Sequence, residues 1–179
     1  SLHCGTHHHE DGHAHDSDPH IWLSIQNAQK MVENIYAELC ELYPQHTNIF
    51  TANLEELYGA FSALEGEAKS LTTLSNREII TFHDGFSYLA DSFGLHIVKA
   101  IEEESGSEAS AREIIEIIEI IDQYKIPAIF IEASGSASAA TVIQAETNVK
   151  VYDLDMGLSQ RNYFEAMHHN IEVLKEALE

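Results

Sequence analysis

The stretch Glu78-Ile79-Ile80-Thr81-Phe82-His83-Asp84-Gly85-Phe86 decides how this chain folds. Ile79 to Phe82 are β-branched or aromatic, a short apolar run that reads as a buried strand. His83-Asp84-Gly85 breaks the run, and residues 85–93 take up helical spacing until Gly94 stops them. The same change of period recurs downstream. Residues 96–101 predict a second strand, 109–124 a helix, 126–132 a third strand, 137–146 a short helix and 149–154 a fourth strand. An acidic, Ser/Gly-rich loop is expected over 102–108. A last helix from about Asn162 carries Phe164, Met167, Ile171, Leu174 and Leu178 on one face. The run Ala128-Ile129-Phe130-Ile131 is apolar without alternation, as expected where helices cover both faces of a sheet. Strands alternating with helices predict an α/β fold, a four-stranded parallel sheet forming a Rossmann-like lobe flanked by helices.

Upstream the pattern is helical only. Asp18-Pro19 reads as a cap and first turn. Ile25, Ala28, Met31, Val32, Ile35, Tyr36 and Leu39 then recur at three- and four-residue steps until Tyr43-Pro44 ends the helix. A second helix starts at Asn48 or Thr51, with Leu54, Leu57, Tyr58, Phe61, Leu64 and Leu71 on its apolar stripe, and approaches about 30 Å in length. Residues 1–17 are rich in His, Gly, Asp and Ser and predict a mobile tract. Three regions result: the tract at 1–17, a helical segment at 18–75 that includes a long connecting helix, and an α/β lobe at 76–179.

Nine Lys plus Arg stand against 30 Asp plus Glu, a formal charge of -21. Such a surface repels phosphate backbones and anionic lipids, so nucleic acid is excluded as a partner and cations are favoured. Histidine is the anomaly, with 12 in the chain and six in the first 15 residues. Cys4 and Cys40 are too few for a disulfide framework or a four-cysteine zinc site, though one bridge between them stays open. No apolar run reaches the roughly 18 residues of a membrane-spanning helix. Ser1-Leu2-His3-Cys4 lacks the features of a signal peptide, and the opening inside a low-complexity tract predicts a fragment with its targeting segment upstream.

In an open parallel sheet, ligands bind beyond the carboxyl ends of the strands. His83 follows the first strand, Glu132 ends the third, and Asp153 and Asp155 end the fourth. Imidazole nitrogen with carboxylate oxygen suits zinc. Blander roles compete at each position. His83 could line the core, Asp84 is read as a helix cap, and Glu132 as a cap for the helix after it. Asp153 and Asp155 alternate and are expected to point the same way, one ligating and one bonding backbone, or both anchoring a loop. Asp18-Pro19-His20-Ile21-Trp22 fixes a helix start that presents His20 in one direction, with Trp22 packed on the lobe and shielding the site.

Taken together, Asp18-Pro19-His20-Ile21-Trp22-Leu23, the long helical stretch, Thr81-Phe82-His83-Asp84-Gly85-Phe86, Ile129-Phe130-Ile131-Glu132 and Leu154-Asp155 resemble the zinc and manganese ABC-importer substrate-binding proteins. The resemblance runs from Asp18 to the end. It implies two Rossmann-like lobes joined by a rigid helix, with metal in the cleft, a membrane permease as partner, an extracytoplasmic location and, for some members, cell adhesion. His20, His83 and Asp155 match the family's metal ligands, and Asp84, Glu132 and Asp153 fall beside them as supporting or capping residues. His83, where manganese receptors commonly carry a carboxylate, favours Zn2+ over Mn2+. The N-terminal lobe, which carries the family's first histidine ligand, has no counterpart here. An isolated lobe would therefore hold an incomplete site, and its exposed face would favour self-association. His7, His8, His9, His13 and His15 form a low-affinity zinc-gathering set by the same resemblance, and the alternative functions are a free-standing zinc buffer or chaperone using that tract, or a manganese receptor. A zinc hydrolase would need Glu132 as its base and lacks any His-Glu-x-x-His signature. No enzyme activity is expected.

Overall fold

A computed structural model describes residues 18–101, 109–133 and 137–179. The chain enters through a 3-10 turn at Ile21–Leu23 and continues into α1 (Ile25–Leu42). Ser24 caps α1, its hydroxyl accepting from the Asn27 amide at 3.3 Å. Asp18, expected in that role, accepts instead from the His20 amide at 2.9 Å, a turn ahead of the helix. Ser24 takes the cap because its extended backbone aims the side-chain oxygen at the amide three residues on.

Tyr43 and Pro44 end α1, and α2 (Thr47–Ala68) returns alongside it. Side-chain bonds from Gln26 to Glu65, Tyr58 to Glu33 and between Tyr36 and Thr51 pair early residues with late ones, so the two helices form an antiparallel hairpin. The 22 residues of α2 span about 33 Å.

The remainder alternates as read: β1 (Glu78–Thr81), α3 (Ser87–Phe93), β2 (His96–Ala100), α4 (Ala111–Tyr124), β3 (Ala128–Glu132), α5 (Ser138–Thr147), β4 (Lys150–Leu154) and α6 (Tyr163–Leu178). The four strands pair in parallel in the order β2-β1-β3-β4. Chain order reverses between β1 and β3, so the crevice beyond their carboxyl ends is the natural ligand position. Capping boxes start both long lobe helices, Ser110 with Glu113 at α4 and Asn162 with Glu165 at α6.

Two apolar clusters sandwich the sheet. Ile79, Ala128 and Phe130 face one cluster with α3, α6 and the base of the helical hairpin, including Leu23, Phe61 and Leu64. Ile80 and Ile129 face the other, with Ile117, Ile121 and Ile143 of α4 and α5. The hairpin base therefore shares its core with the lobe. At its other end Ile35, Leu42, Tyr43 and Ile49 are about half exposed or more, because no described element packs on them. Among the described residues, no helix is long and apolar enough to cross a membrane.

Candidate metal centre

β1 delivers the first donor. Its last residue is Thr81; Phe82 is buried and donates its amide to Phe130 O at 2.8 Å, which fixes the direction in which the chain leaves the sheet. His83 follows at the β1/β3 reversal, half-buried. Its ring meets that of His20 edge-on, with centroids 5.2 Å apart and planes at 82°. Residues 63 apart in sequence thus bring two imidazoles together at the carboxyl edge of the sheet.

His20 is held from behind. Its Nδ1 lies 2.8 Å from Asp18 Oδ1, so the ring donates from Nδ1, and in the neutral imidazole the lone pair then sits on Nε2. This carboxylate–imidazole arrangement orients metal-binding histidines generally. The second oxygen, Asp18 Oδ2, is buried without a hydrogen-bond partner among the described residues. Trp22 stands against His20 with ring centroids 5.4 Å apart. Its Nε1 donates to Met156 O at 2.8 Å, and Tyr163 OH donates to Trp22 O at 3.0 Å, tying the turn to the loop after β4. Burial pushes the Tyr163 phenol above its ordinary pKa, so it stays a donor at any physiological pH.

Gly85 makes the room that His83 occupies. A Cβ there would lie 2.6 Å from His83 Cδ2, 2.7 Å from His83 Nε2 and 2.6 Å from the Met156 methyl. Only a residue without a side chain lets the imidazole lie back across this turn.

Asp155 is 1 % exposed and has its own partners. Oδ1 accepts from the Gly157 amide at 2.8 Å; Oδ2 accepts from Ser159 Oγ at 2.5 Å and from Arg161 Nη1 at 3.1 Å. Gly157 sits at φ 74°, a left-handed conformation that lets the loop curl back over the carboxylate. Burial opposes ionisation of Asp155, but the Ser159, Gly157 and Arg161 contacts together outweigh it, and the group titrates below the ordinary aspartate range. Asn170 grips the same residue's backbone, accepting from Asp155 N and donating to Asp155 O, both at 2.7 Å.

Asp153 and Asp155, expected to point the same way, engage different partners. β4 stops at Leu154, so strand alternation does not extend to Asp155. Asp153 instead pairs with His169 Nε2 of α6 at 3.1 Å. α3 starts from Phe86 and α5 from Ala137, two and five residues after Asp84 and Glu132 respectively, and neither of those starting residues caps its helix with its own side chain. Glu132 closes β3, half-buried, and Asp84 is exposed on a cleft with Lys99 and Glu113. His7, His8, His9, His13 and His15 lie outside the described residues. Among the described residues, no group of three or more His, Cys, Asp or Glu is arranged to hold a metal ion. The arrangement offers two imidazoles, fewer than the four donors zinc usually takes.

Sequence reading missed Gly85, Arg161, Ser159 and Asn170. Asn170 left a trace: it is a polar residue inside the Met167, Ile171, Leu174 stripe. Arg161 left none, since its partner lies across a turn that no periodicity reports.

Residues 2–177 match the family model described as zinc-uptake complex component A, periplasmic (ZnuA). The chain belongs to that family. A candidate metal-binding protein of Treponema pallidum (strain Nichols) is 33% identical over 179 residues, 96% of this chain and 57% of that protein. The zinc-binding lipoprotein AdcA of Streptococcus pneumoniae is 32% identical over 182 residues, 96% of this chain and 36% of AdcA. The chain thus spans between about a third and a little over half of these relatives' length. Among solved structures, the laminin-binding adhesin of Streptococcus agalactiae matches with TM-score 0.79 and 28% identity, over 94% of this chain and 66% of the adhesin. FpvC of Pseudomonas aeruginosa, solved with Mn2+, matches with TM-score 0.75 and 26% identity, over 90% of this chain and 63% of FpvC. The two solved structures share this α/β architecture.

Proposed function

We propose that this chain is the metal-holding part of an extracytoplasmic ZnuA-type receptor, which captures Zn2+ and passes it to an ABC permease in the membrane. The observation that carries the reading is the meeting of His20 and His83 at the strand-order reversal, with His20 oriented by Asp18. Paired imidazoles with a free nitrogen are borderline donors, which suit zinc better than manganese. Asp155, matched by resemblance to a family ligand position, would be the third donor, and residues 76–179 would act as the metal-binding lobe, with α2 as the connecting helix. The tract histidines His7, His8, His9, His13 and His15 would gather zinc weakly and feed the pair. Water, the tract or further chain of a longer protein completes the shell.

The receptor reading needs no catalysis. Zinc enters as imidazoles lose protons, and binding stabilises the ordered state. The permease releases the ion by loosening the Trp22–Met156 and Tyr163–Trp22 ties, local changes that leave α2 straight. The test is calorimetric zinc titration of the chain and of a His20→Ala, His83→Ala double variant. Loss of one tight site with weaker tract binding retained is the expected result. Identical isotherms would leave the buffer reading, in which the tract alone binds.

A further inference from the structure

Resting on the receptor reading above, we propose that Tyr163 is a positioning residue for the metal site: its hydroxyl holds the turn that carries His20 against the lobe. The hydrogen bonds that orient the His20 ring are local. Asp18, two residues away, pairs with both the His20 amide and the imidazole Nδ1. The turn closes on itself through the Ile21 amide to Pro19 O at 2.8 Å and the Leu23 amide to His20 O at 3.1 Å. These bonds fix the ring relative to the turn and leave the turn's place on the lobe undetermined. Past the turn, Leu23 and Ile25 are buried and seat the start of α1 in the core. Among the described residues, two hydrogen bonds reach from the turn to distant chain, and both meet at Trp22. Its indole donates to Met156 O, and its carbonyl accepts from Tyr163 OH.

Of the two, the tyrosine bond grips backbone. Trp22 is the middle residue of a three-residue 3-10 turn, and the last carbonyls of such a turn need partners from outside it. Tyr163 is itself placed with little freedom. It is the first residue of α6, whose start the Asn162–Glu165 capping box fixes. Its ring packs on Phe61 of α2, with centroids 6.0 Å apart, and on Phe164 at 5.3 Å. A Cβ on Gly157 would lie 3.9 Å from Trp22 Nε1 and 4.0 Å from Tyr163 Cδ2, so the loop after β4 lies against both rings. Tyr163 thus joins α2, α6 and that loop to a carbonyl two residues after His20, in the residue whose indole stands 5.4 Å from the His20 imidazole. Without the hydroxyl the turn keeps its shape but loses its position. Metal–nitrogen distances tolerate errors of only about 0.2 Å, so a small displacement of the turn weakens the His20 donor.

The test is Tyr163→Phe, which keeps the ring and removes the hydroxyl, in the full chain with His7, His8, His9, His13 and His15 changed to Gln. Zn2+ affinity is expected to fall about tenfold, the low end for a partner outside the first shell. Trp22 is the chain's one tryptophan, so its emission reports on the turn without any metal. In chelator, Tyr163→Phe should shift that emission to the red and make it more readily quenched by acrylamide. Ile117→Val is the comparison, since Ile117 is fully buried in the core on the other side of the sheet. Each variant should melt about 3 °C below the parent, and titrations are run well below both transitions. Ile117→Val should keep parent zinc affinity and parent emission. Parent-like zinc affinity or parent-like emission in Tyr163→Phe would overturn the positioning role and leave the receptor reading standing. Equal losses of zinc affinity in Tyr163→Phe and Ile117→Val would do the same, since stability alone would then be the cause. Zinc binding that persists unchanged in His20→Ala, His83→Ala would overturn the receptor reading, and this inference with it.

Discussion

Replacing Gly85 by alanine should damage the metal site and lower the stability of the fold around it. The new Cβ would stand 2.6 Å from His83 Cδ2 and 2.7 Å from His83 Nε2, where ordinary contact begins at 3.4 Å. The ring must therefore retreat by about 0.7–0.8 Å, or tilt by an equivalent amount. A zinc–nitrogen bond is about 2.0–2.1 Å and tolerates errors of about 0.2 Å, so that retreat is several times the tolerance. Zinc affinity of the chain with tract histidines replaced should fall about 10- to 100-fold. Overpacking in a tight turn should also cost about 1–3 kcal/mol in metal-free stability. Met156 is the second neighbour at 2.6 Å, and it can be removed separately. In the Gly85→Ala, Met156→Ala double variant zinc affinity should stay low, since the His83 clash persists, while the loss of the buried Met156 side chain lowers stability on its own account. The assay is calorimetry beside thermal unfolding. Wild-type zinc affinity in Gly85→Ala would refute the idea that His83's position depends on this glycine.

Three further outcomes follow from the same geometry. Trp22→Phe removes the indole donor from Met156 O and should lower stability by about 1 kcal/mol, or roughly 3 °C in melting temperature. Asn170→Ala strips the partners from both backbone groups of buried Asp155; a loss of about 3 kcal/mol, or roughly 6–12 °C, is expected in the same assay. His168 of α6 is raised above its ordinary pKa by its hydrogen bond to Glu67 of α2, with burial opposing and the charges of Glu67 and Glu172 adding. Because the folded value is the higher one, its stabilisation is complete below the unfolded value of 6.5 and fades as pH rises through the folded value. The pair is exposed, so the effect is small and salt-sensitive. Melting curves taken in chelator across that window should slope downward in the parent, and the slope should be shallower in His168→Ala.

Much of the fold was legible because the sheet is buried on both faces. Apolar runs at 79–82 and 128–131, each followed by turn residues and a helical period, left little choice but parallel strands with helical crossovers. The error at the first helix has a local cause: Asp18 and Ser24 are both good caps, and only backbone geometry chooses between them. At the site, His83 was legible because a strand end points to the carboxyl edge, and His20 because Asp18-Pro19 fixes a turn. Asp155 was readable as a position but not as an environment. Its contacts with Ser159 and Arg161 arise from a loop folded back through Gly157, and no periodic signal describes such a loop. The space behind His83 was hidden for a related reason, since a glycine's importance depends on what lies opposite its missing Cβ.

The most direct test of the central claim, that the folded lobe holds zinc through His20 and His83, is a histidine-selective 1H–15N spectrum of the imidazole rings during zinc titration of the full chain. The ring resonances of His20 and His83 should move first and saturate at one equivalent, with His20 coordinating through Nε2, while those of the tract respond only later. Early shifts confined to the tract, with His20 and His83 unmoved at one equivalent, would contradict it.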